Sequence, residues 1–356
     1  MNKRTLVINP GSSTTKFAVY EGTGTLFSRS IEHTAEELAP FEAITDQFEF
    51  RTNLILSVLR EEGIDPAGFD AVIGRGGLLK PICGGVWAVN ELMLQDLRIG
   101  VSGQHACNLG GIMAFEMAKK SKAPAFIADP VVVDEMCDEA RISGHPELPR
   151  RSIFHALNQK ATARRAAGEM GKKYEECRLI VAHIGGGISV GSHVEGRVID
   201  VNNALNGEGP FSTERSGGLP VGQLVDLCFS GTKTKQEIQK MIKGGGGFQA
   251  YLGTSNGKEV ANRAAAGDAK ADLLFRTLAY QVAKEIGAHA TVLEGRIDGI
   301  VLTGGLANDK WLMEILHKRI SFLGRIFIYP GEDELEALRD AGLRALTGES
   351  EVQQYQ

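Results

Sequence analysis

The sequence has few of the features that mark secreted, metal-binding, membrane or nucleic-acid-binding proteins. Its five cysteines are scattered, and no two have the CxxC spacing of zinc and redox sites. No apolar run approaches the roughly 20 residues that a membrane-spanning helix needs. The net charge is −5, whereas binding to a phosphate backbone requires a basic surface. We therefore expect a cytoplasmic protein with reduced thiols and with neither a membrane nor a nucleic acid as partner.

Several nucleotide and hydrolase motifs are also missing. The chain has no GxxxxGK[ST] loop, no strict GxGxxG, no HExxH and no GxSxG elbow. A looser G-x-G-x-x-A pattern at 245–250 follows a lysine-rich helical segment rather than a strand, which argues against a Rossmann site there. A nucleotide site in this chain must therefore be built from other loops.

Glycine, in contrast, is abundant. The chain has 44 glycines, many of them clustered at 74–77, 185–187, 207–209, 217–218, 244–247 and 304–305. Glycine clusters between apolar runs mark turns in which the backbone approaches another group closely. Because several clusters follow predicted strands, we expect a cleft lined by loops.

Alternating strand-like and helix-like segments predict an α/β fold, and 356 residues favour two domains. Thr5–Asn9 and Lys16–Tyr20 are expected to form a hairpin. Further strands are expected at 71–74, 125–128, 179–183 and 299–303, and helices at 48–61, 105–120, 155–170, 271–293 and 332–346.

The chain contains an internal repeat. LVINPGSSTTKFAVYEG, at 6–22, aligns without a gap with IVAHIGGGISVGSHVEG, at 180–196. In both segments an apolar run leads to a polar residue, Asn9 or His183, and then to a turn of small residues and a second strand. The repeat predicts a duplicated hairpin, with each turn able to hold part of a phosphate chain through backbone N–H groups.

Five segments together resemble the acetate kinase family, which belongs to the sugar kinase, Hsp70 and actin superfamily. They are INPGSSTTK at 8–16, VIGRGG at 72–77, FHALNQ at 154–159, AHIGGG at 182–187 and LTGGLA at 302–307. The resemblance implies two duplicated ribonuclease-H-like domains with ATP in a cleft between them. It implies an N-terminal domain at 1–132, to which a C-terminal helix at about 335–356 returns, and a nucleotide-binding domain at 133–334.

The resemblance implies nucleotide-binding roles for three loops. The residues concerned are Asn9, Ser12, Thr14 and Lys16 in a first phosphate loop, His183, Gly185, Gly186 and Gly187 in a second, and Gly304, Gly305 and Asn308 in an adenosine loop. Acetate kinases usually have Asn where this chain has Gly186, so here the backbone must make that contact.

The resemblance also implies a set of residues around the transferred phosphoryl group. The active-site residues that match are Arg75, Arg215, His155, Asp129 and His105, and those on the Mg²⁺ side are Asn9, Asp129 and Glu334. Asp333, the neighbour of Glu334, remains an alternative for the last role.

Two departures from the family pattern concern the substrate. The family's FHGTSH is FHALNQ here, so its second histidine is absent. Gly77 stands where acetate kinases have Val, and we expect the smaller residue to enlarge the pocket for the acid's alkyl tail, with Phe154 as an apolar wall.

These residue types suit phosphoryl transfer from ATP to a short carboxylic acid. Such an acid is already ionised at pH 7 and needs no general base, whereas two anions must be brought together by arginines, a histidine, a lysine and Mg²⁺. Butyrate is the expected acid, with isobutyrate, propionate and acetate as alternatives. A sugar-type kinase with Asp200 as its base and a nucleotide-gated binding protein remain rival interpretations. The family resemblance also implies a homo-oligomer, typically a dimer.

Overall fold

The computed structural model describes residues 2–356, which divide into two compact units. The first unit joins the chain up to Val133 to Asp333–Gln356, and the second is Asp134–Glu332. The expected boundaries put Glu334 in the second domain, whereas the structure puts it in the first unit, as the first residue of a helix.

Strands and helices alternate along the chain. Over the described residues the strands are β1 (Arg4–Pro10), β2 (Thr14–Glu21), β3 (Gly24–Glu32), β4 (Ala71–Arg75), β5 (Val86–Ala88), β6 (Ala125–Ala128), β7 (Arg178–Ile184), β8 (Ile188–Val194), β9 (Arg197–Val201), β10 (Gly299–Gly304), β11 (Ile326–Pro330) and β12 (Val352–Gln354). The helices are α1 (Ala35–Leu38), α2 (Phe48–Glu61), α3 (Glu91–Ile99), α4 (Asn108–Ser121), α5 (Asp138–Arg141), α6 (Ala156–Glu169), α7 (Val221–Phe229), α8 (Lys235–Ile242), α9 (Gly247–Leu252), α10 (Gly257–Ala265), α11 (Ala269–Val292), α12 (Lys310–Ile320) and α13 (Glu334–Thr347).

The first unit contains a seven-stranded sheet in the order β12-β5-β6-β4-β1-β2-β3. Two helices, α4 and α13, cover opposite faces of the centre of this sheet. Successive residues of a strand point to opposite faces, so neighbours on β4 contact different helices. Val72 belongs to the core with Leu109 and Ile112 of α4, whereas Ile73 lies under Gly342 of α13.

The end of the chain differs from the expected terminal helix. That helix, α13, stops at Thr347, and β12 then pairs in parallel with β5. Tyr355 anchors this strand, since its hydroxyl donates to Oδ2 of Asp96 at 2.8 Å and its carbonyl accepts from Nδ2 of Asn90 at 2.8 Å. The last residues therefore complete the sheet of the first unit.

The second unit contains a five-stranded sheet in the order β11-β10-β7-β8-β9. Along β7 the side chains alternate between two cores. Ile180 belongs to the core that contains the apolar residues of α11, and Val181 belongs to the core that contains alanines of α6. The long helix α11 begins at an N-cap, Asp268, whose side chain accepts from the backbone N–H groups of Lys270 and Ala271.

The repeat is visible in both sheets, but its alignment needs a one-residue gap. Strands β1 and β7 correspond at the sequence offset, whereas the turn between paired residues has four residues in the first hairpin (11–14) and three in the second (185–187). The bulges after the turn, at Val19/Tyr20 and Ser192/His193, agree with the gapped alignment. The ungapped alignment is therefore wrong beyond the turn, where it would place every side chain on the opposite face.

Most expected elements are present, with ends shifted by a few residues. The helix expected from 105 begins at Asn108, and the one expected from 332 begins at Glu334. The lysine-rich helical segment is present as α8, whereas the third strands β3 and β9 and the helices α7, α9 and α10 were not expected. Within residues 2–356, no helix is both long and apolar enough to cross a bilayer.

Candidate active site

Three residues of the first unit form a cluster where β1, β4 and α13 meet. Arg75 ends β4 and makes a two-pronged ion pair with Glu334, with Nη1 3.0 Å from Oε2 and Nη2 3.0 Å from Oε1. Asn9 of β1 donates from Nδ2 to the same Oε2 at 2.6 Å and accepts from Nη1 of Arg75 through Oδ1 at 3.3 Å. Glu334, rather than Asp333, is therefore the carboxylate that contacts both residues.

Local packing explains why this cluster forms. Strands β1 and β4 run in parallel, so Asn9 and Arg75 lie near the same edge of the sheet. Glycines let α4 approach the end of β4, because a Cβ on Gly110 would overlap the carbonyl oxygen of Arg75. Glu334 sits at the N-terminus of α13, where the helix dipole favours a carboxylate.

The turn between β1 and β2 is held by a buried arginine that the sequence interpretation missed. The fully buried side chain of Arg51, in α2, donates to three carbonyl oxygens of the turn: Gly11 at 2.8 Å, Ser12 at 2.9 Å and Thr14 at 2.9 Å. Because these carbonyls point inward to Arg51, the N–H groups of the peptides that they belong to point the opposite way. Such a row of outward N–H groups favours an anion.

The side chains of the first phosphate loop lie on this turn. Ser12 is exposed, and Thr14 is half-buried. Lys16 is exposed and lies directly opposite Asn9 in the β1–β2 ladder. Residues directly opposite each other in an antiparallel pair share a face of the sheet, so Lys16 lies on the face of Asn9.

Two other predicted residues of the first unit have local contacts. Asp129 follows β6 with φ of 38°, and its Oδ1 accepts from the backbone N–H of Gly85 at 2.7 Å. His105 is exposed in the turn before α4, with Nδ1 3.0 Å from Sγ of Cys107. Burial raises the pKa of Cys107 to about 11, so its protonated thiol can donate to that nitrogen. The contacts described here do not bring Asp129 or His105 into the cluster of Asn9, Arg75 and Glu334, and their catalytic roles stay predictions.

Two histidines of the second unit are stacked face to face. The rings of His155 and His183 have centroids 3.7 Å apart and planes inclined by 8°. Nδ1 of His183 lies 2.8 Å from Oδ1 of Asn158, and its Nε2 lies 3.0 Å from Oε1 of Glu332. This last contact does not have the geometry of a hydrogen bond, so the buried Nε2 of His183 has no hydrogen-bond partner.

The second phosphate loop, Gly185–Gly187, is a bare backbone turn beside Arg215. Gly185 donates to the carbonyl of Gly187 at 3.0 Å, and the hydroxyl of Ser212 donates to the carbonyl of Gly186 at 2.6 Å. A Cβ on Gly187 would overlap Nη1 of Arg215, whereas a Cβ on Gly186 would meet no atom within 4 Å. The turn is therefore closed on the arginine side and open at Gly186.

Arg215 has unused donor capacity. Its Nη1 donates to the carbonyl of Ala204 at 2.8 Å, and its buried Nε has no hydrogen-bond partner. Burial lowers the pKa of its guanidinium, with Glu214 and Glu332 acting in the opposite direction. An arginine with an unsatisfied buried donor beside a glycine turn suits a phosphate or carboxylate anion, so these residues fit a nucleotide polyphosphate.

The predicted adenosine loop borders a cavity. Gly304 ends β10 with φ of 90°, and a short 3-10 helix, Gly305–Asn308, follows. A cavity of about 430 Å³ is lined by Gly257, Lys258, Ala261, Asn262, Gly305, Leu306, Asn308 and Asp309. Two of the three predicted adenosine-loop residues, Gly305 and Asn308, thus line one concave site with α10.

The two predicted substrate residues are both buried. Phe154 is 2% exposed and stays a candidate wall. Gly77 does not open a pocket, because a Cβ there would lie 2.6 Å from Cδ2 of Leu97 and 2.7 Å from Cα of Asn108. The expectation that Gly77 makes room for a longer acid is therefore wrong: glycine is needed there because α3 and α4 pack against it.

The carboxylates suit a water-mediated divalent cation rather than a closed cage. Among residues 2–356, no group of three or more His, Cys, Asp or Glu side chains is arranged to hold a metal ion. Both oxygens of Glu334 are engaged by Arg75 and Asn9. Mg²⁺ commonly keeps several waters and uses one or two carboxylates together with substrate phosphates, a donor set that Asn9, Asp129 and Glu334 could supply.

Asp200, the base that a hydroxyl-directed kinase would need, is held in an ion pair. Its Oδ1 lies 2.9 Å from Nη1 of Arg150, which also contacts Glu208 through Nη2 at 3.2 Å. An oxygen held by a guanidinium is not free to accept a hydrogen bond from a substrate hydroxyl. This pairing disfavours the sugar-type kinase.

Comparison with known proteins identifies the family of this chain. The model of the Acetokinase family matches residues 146–339. Butyrate kinase 1 of Clostridium acetobutylicum is 53% identical over 99% of this chain and 99% of its own length, and the probable butyrate kinase of Bacteroides thetaiotaomicron is 56% identical over 98% and 99%. The crystal structure of Porphyromonas gingivalis acetate kinase matches with a TM-score of 0.78 at 20% identity, covering 96% of this chain and 99% of that one.

The chain therefore belongs to the Acetokinase family and is an enzyme of the carboxylate kinase class. The family implies ATP and a divalent metal as its partners in catalysis.

Proposed function

We propose that this enzyme transfers the γ-phosphoryl group of ATP to butyrate, reversibly and with Mg²⁺, to give butyryl phosphate and ADP. The observation that carries the proposal is that each unit has an arginine beside a glycine-rich turn, Arg75 at the end of β4 and Arg215 against Gly187. The candidate base Asp200, in contrast, is held in an ion pair by Arg150. The choice of butyrate is supported by the relatives named butyrate kinase, which exceed 50% identity over almost the whole chain.

The first unit supplies one set of groups for this reaction. The N–H groups of the turn peptides whose carbonyls Arg51 holds, with Ser12, Thr14 and Lys16, bind phosphate oxygens. Arg75 binds the carboxylate of the acid or a phosphate oxygen, since its planar fork matches both. Glu334 occupies that fork, so binding of the acid would exchange one carboxylate for another. Mg²⁺, when bound near Glu334 and Asp129, would neutralise charge on the phosphate oxygens.

The second unit supplies the other set. The turn at Gly185–Gly187 and the unsatisfied Nε of Arg215 bind phosphate oxygens, while the imidazole of His155, stacked on His183, offers an N–H group. The cavity at Gly305 and Asn308 takes the adenosine. Because butyrate is ionised at neutral pH, stabilisation of negative charge in the transition state, rather than proton abstraction, is what these residues contribute.

An ATP- and Mg²⁺-dependent hydroxamate assay tests the proposal across acids from acetate to hexanoate, with isobutyrate and glucose alongside. We expect the highest kcat/KM with butyrate. A maximum at acetate or propionate would keep the carboxylate kinase and discard butyrate. ADP release with glucose, and no acyl hydroxamate with any acid, would overturn the assignment in favour of a hydroxyl-directed kinase.

We also propose that the enzyme works as a homo-oligomer in the cytoplasm. Helix α7 has no buried residue and exposes Val221 and Phe229 at 72% and 86% of their surface, which supports contact with a second copy. All five cysteines are free, which suits a reducing compartment. Light scattering at micromolar concentration should give a mass at least twice the 38.3 kDa of one chain, and a mass of one chain would contradict the proposal.

A further inference from the structure

We infer that a directed chain of hydrogen bonds from Tyr174 through His193, Gln159 and Ser189 fixes the tautomer of His155, so that His155 presents its Nε2 hydrogen to the phosphoryl group. The inference rests on the proposed function for the role of His155, but the tautomer itself can be measured without substrate. Gln159, Ser189 and His193 are thereby positioning residues for the reaction.

Gln159 gives the chain its direction. Its Nε2 donates to the backbone carbonyl of Ser189 at 2.9 Å and to the Ser189 hydroxyl at 2.8 Å. A carbonyl oxygen can only accept a hydrogen bond, so the nitrogen end of the amide must face Ser189 and the oxygen end must face away from it. Gln159 is fully buried, and solvent does not compete for these contacts.

His193 continues the chain behind Gln159. Its Nε2 lies 3.0 Å from Oε1 of Gln159, and its Nδ1 lies 2.8 Å from the hydroxyl of Tyr174. Since Oε1 accepts, Nε2 must carry a hydrogen. Complete burial lowers the pKa of His193 well below its usual value. The ring is therefore neutral at pH 7, and its bare Nδ1 accepts from Tyr174.

Ser189 transmits the direction to His155. Its hydroxyl oxygen lies 2.8 Å from Nδ1 of His155 and accepts from Gln159, with the backbone N–H of His155 at a longer 3.4 Å. The remaining hydroxyl hydrogen then points to Nδ1 of His155. A neutral imidazole that accepts at Nδ1 carries its hydrogen at Nε2.

The chain explains a departure noted in the sequence. Position 159, where the acetate kinase pattern has a second histidine, is here a glutamine whose two ends join two other side chains. A glutamine amide cannot ionise, so its nitrogen donates and its oxygen accepts at every pH, whereas an imidazole changes its donors and acceptors when it is protonated. The buried segment from Tyr174 to Ser189 thus orients His155 without a charge.

The test uses the full-length protein labelled with ¹⁵N-histidine, and the ring nitrogen shifts of His155 are assigned with His155→Gln. We expect wild-type His155 to be the Nε2–H tautomer at pH 7.5 in the absence of substrate. Ser189→Ala should give a mixture of tautomers and lower kcat by about 10–100-fold, as the loss of outer partners does at other sites, with the KM for ATP changed less than threefold. Gln159→Met, which retains the side-chain volume, should likewise give a mixture of His155 tautomers and a lower kcat.

Ser192→Ala is the matched control. Ser192 is equally buried in the same strand, and its hydroxyl contacts another histidine, His289 Nδ1, at 2.7 Å. It should leave both the His155 shifts and kcat at wild-type values. An Nδ1–H tautomer in the wild type, or unchanged His155 shifts in Ser189→Ala, would overturn the inference. An Nε2–H ring in a wild-type protein that phosphorylates no acid would contradict the proposed function while supporting the hydrogen-bond chain.

Discussion

Lys16 and Ser189 occupy the same position in the two repeated hairpins. Each lies directly across the ladder from the polar residue near the end of the first strand, Asn9 in one hairpin and His183 in the other. Both therefore project on the side of the sheet that carries the candidate site residue. In the second unit this position orients a histidine, and in the first it carries a cation.

Replacement of Lys16 tests whether that cation binds phosphate. At an effective dielectric constant of about 20, two unit charges 4 Å apart interact by about 4 kcal/mol before screening. We expect Lys16→Met to lower kcat/KM for ATP by one to two powers of ten, less at high salt. Lys3→Met, which removes a surface ion pair with Asp70 in the same unit, should leave kcat/KM unchanged. Equal values for the two variants would exclude a role for Lys16.

Arg51 should matter for both stability and nucleotide binding. Arg51→Met would remove a donor from three turn carbonyls, of which that of Thr14 keeps another, the backbone N–H of Gly11. We expect the free energy of unfolding to fall by about 3–5 kcal/mol. Arg51→Lys keeps the charge but cannot hold all three carbonyls, so it should unfold at an intermediate temperature and raise the KM for ATP. Arg60→Met, on the exposed side of the same helix, is the control for thermal unfolding. A wild-type KM in Arg51→Lys would show that the turn needs no clamp.

An added methyl group should have opposite effects on stability at Gly77 and at Gly186. Gly77→Ala forces a Cβ against Leu97 and Asn108 and should cost about 1–3 kcal/mol of stability by overpacking. Gly186→Ala adds its Cβ to open space, so its melting temperature should equal that of the wild type. Differential scanning fluorimetry of both variants decides this point. If Gly77→Ala melts with the wild type, the packing explanation for this glycine fails.

Acidification should destabilise the second unit. Burial holds the pKa of His193 well below 6.5 and lowers that of His289 to about 4. Below pH 6.5 these two histidines bind protons in the unfolded chain but stay neutral in the folded protein. The free energy of unfolding therefore falls as the pH drops from 6.5 towards the folded pKa values. Each histidine contributes up to about 1.4 kcal/mol per pH unit in that window.

Chemical denaturation at pH 7.5 and pH 5.5 measures this loss. His289→Gln removes one of the two groups and should make the stability less dependent on pH. A midpoint that does not decrease at pH 5.5 would show that these histidines are not buried as neutral rings.

Much of the fold could be predicted because its signals are local. The two hairpins share an apolar run, a polar residue and a small-residue turn, and the strand at Ala125–Ala128 has the predicted ends. The one-residue difference between the turns could not be seen, because glycine and serine turns carry no pattern that fixes their length. Only the cross-strand register reveals it.

The site residues that were missed act across long sequence separations. Arg51 lies in a predicted helix, and spacing along a helix indicates a face but not which carbonyls lie opposite it. In the sequence, Ser189 and His193 are ordinary polar residues of a predicted strand. Their roles depend on Gln159, which is 30 or more positions away. Gly77 shows the reverse case: a family departure suggested a pocket, whereas tertiary packing accounts for it.

The pairing of β12 with β5 has a consequence for how the protein is made. The second unit is one continuous segment, whereas the first needs residues from both sides of it. On the ribosome the second unit can fold as soon as its segment emerges, while β5 waits with an unpaired edge until β12 is translated. During that interval the first unit is the part of the nascent chain most exposed to mispairing and chaperone capture.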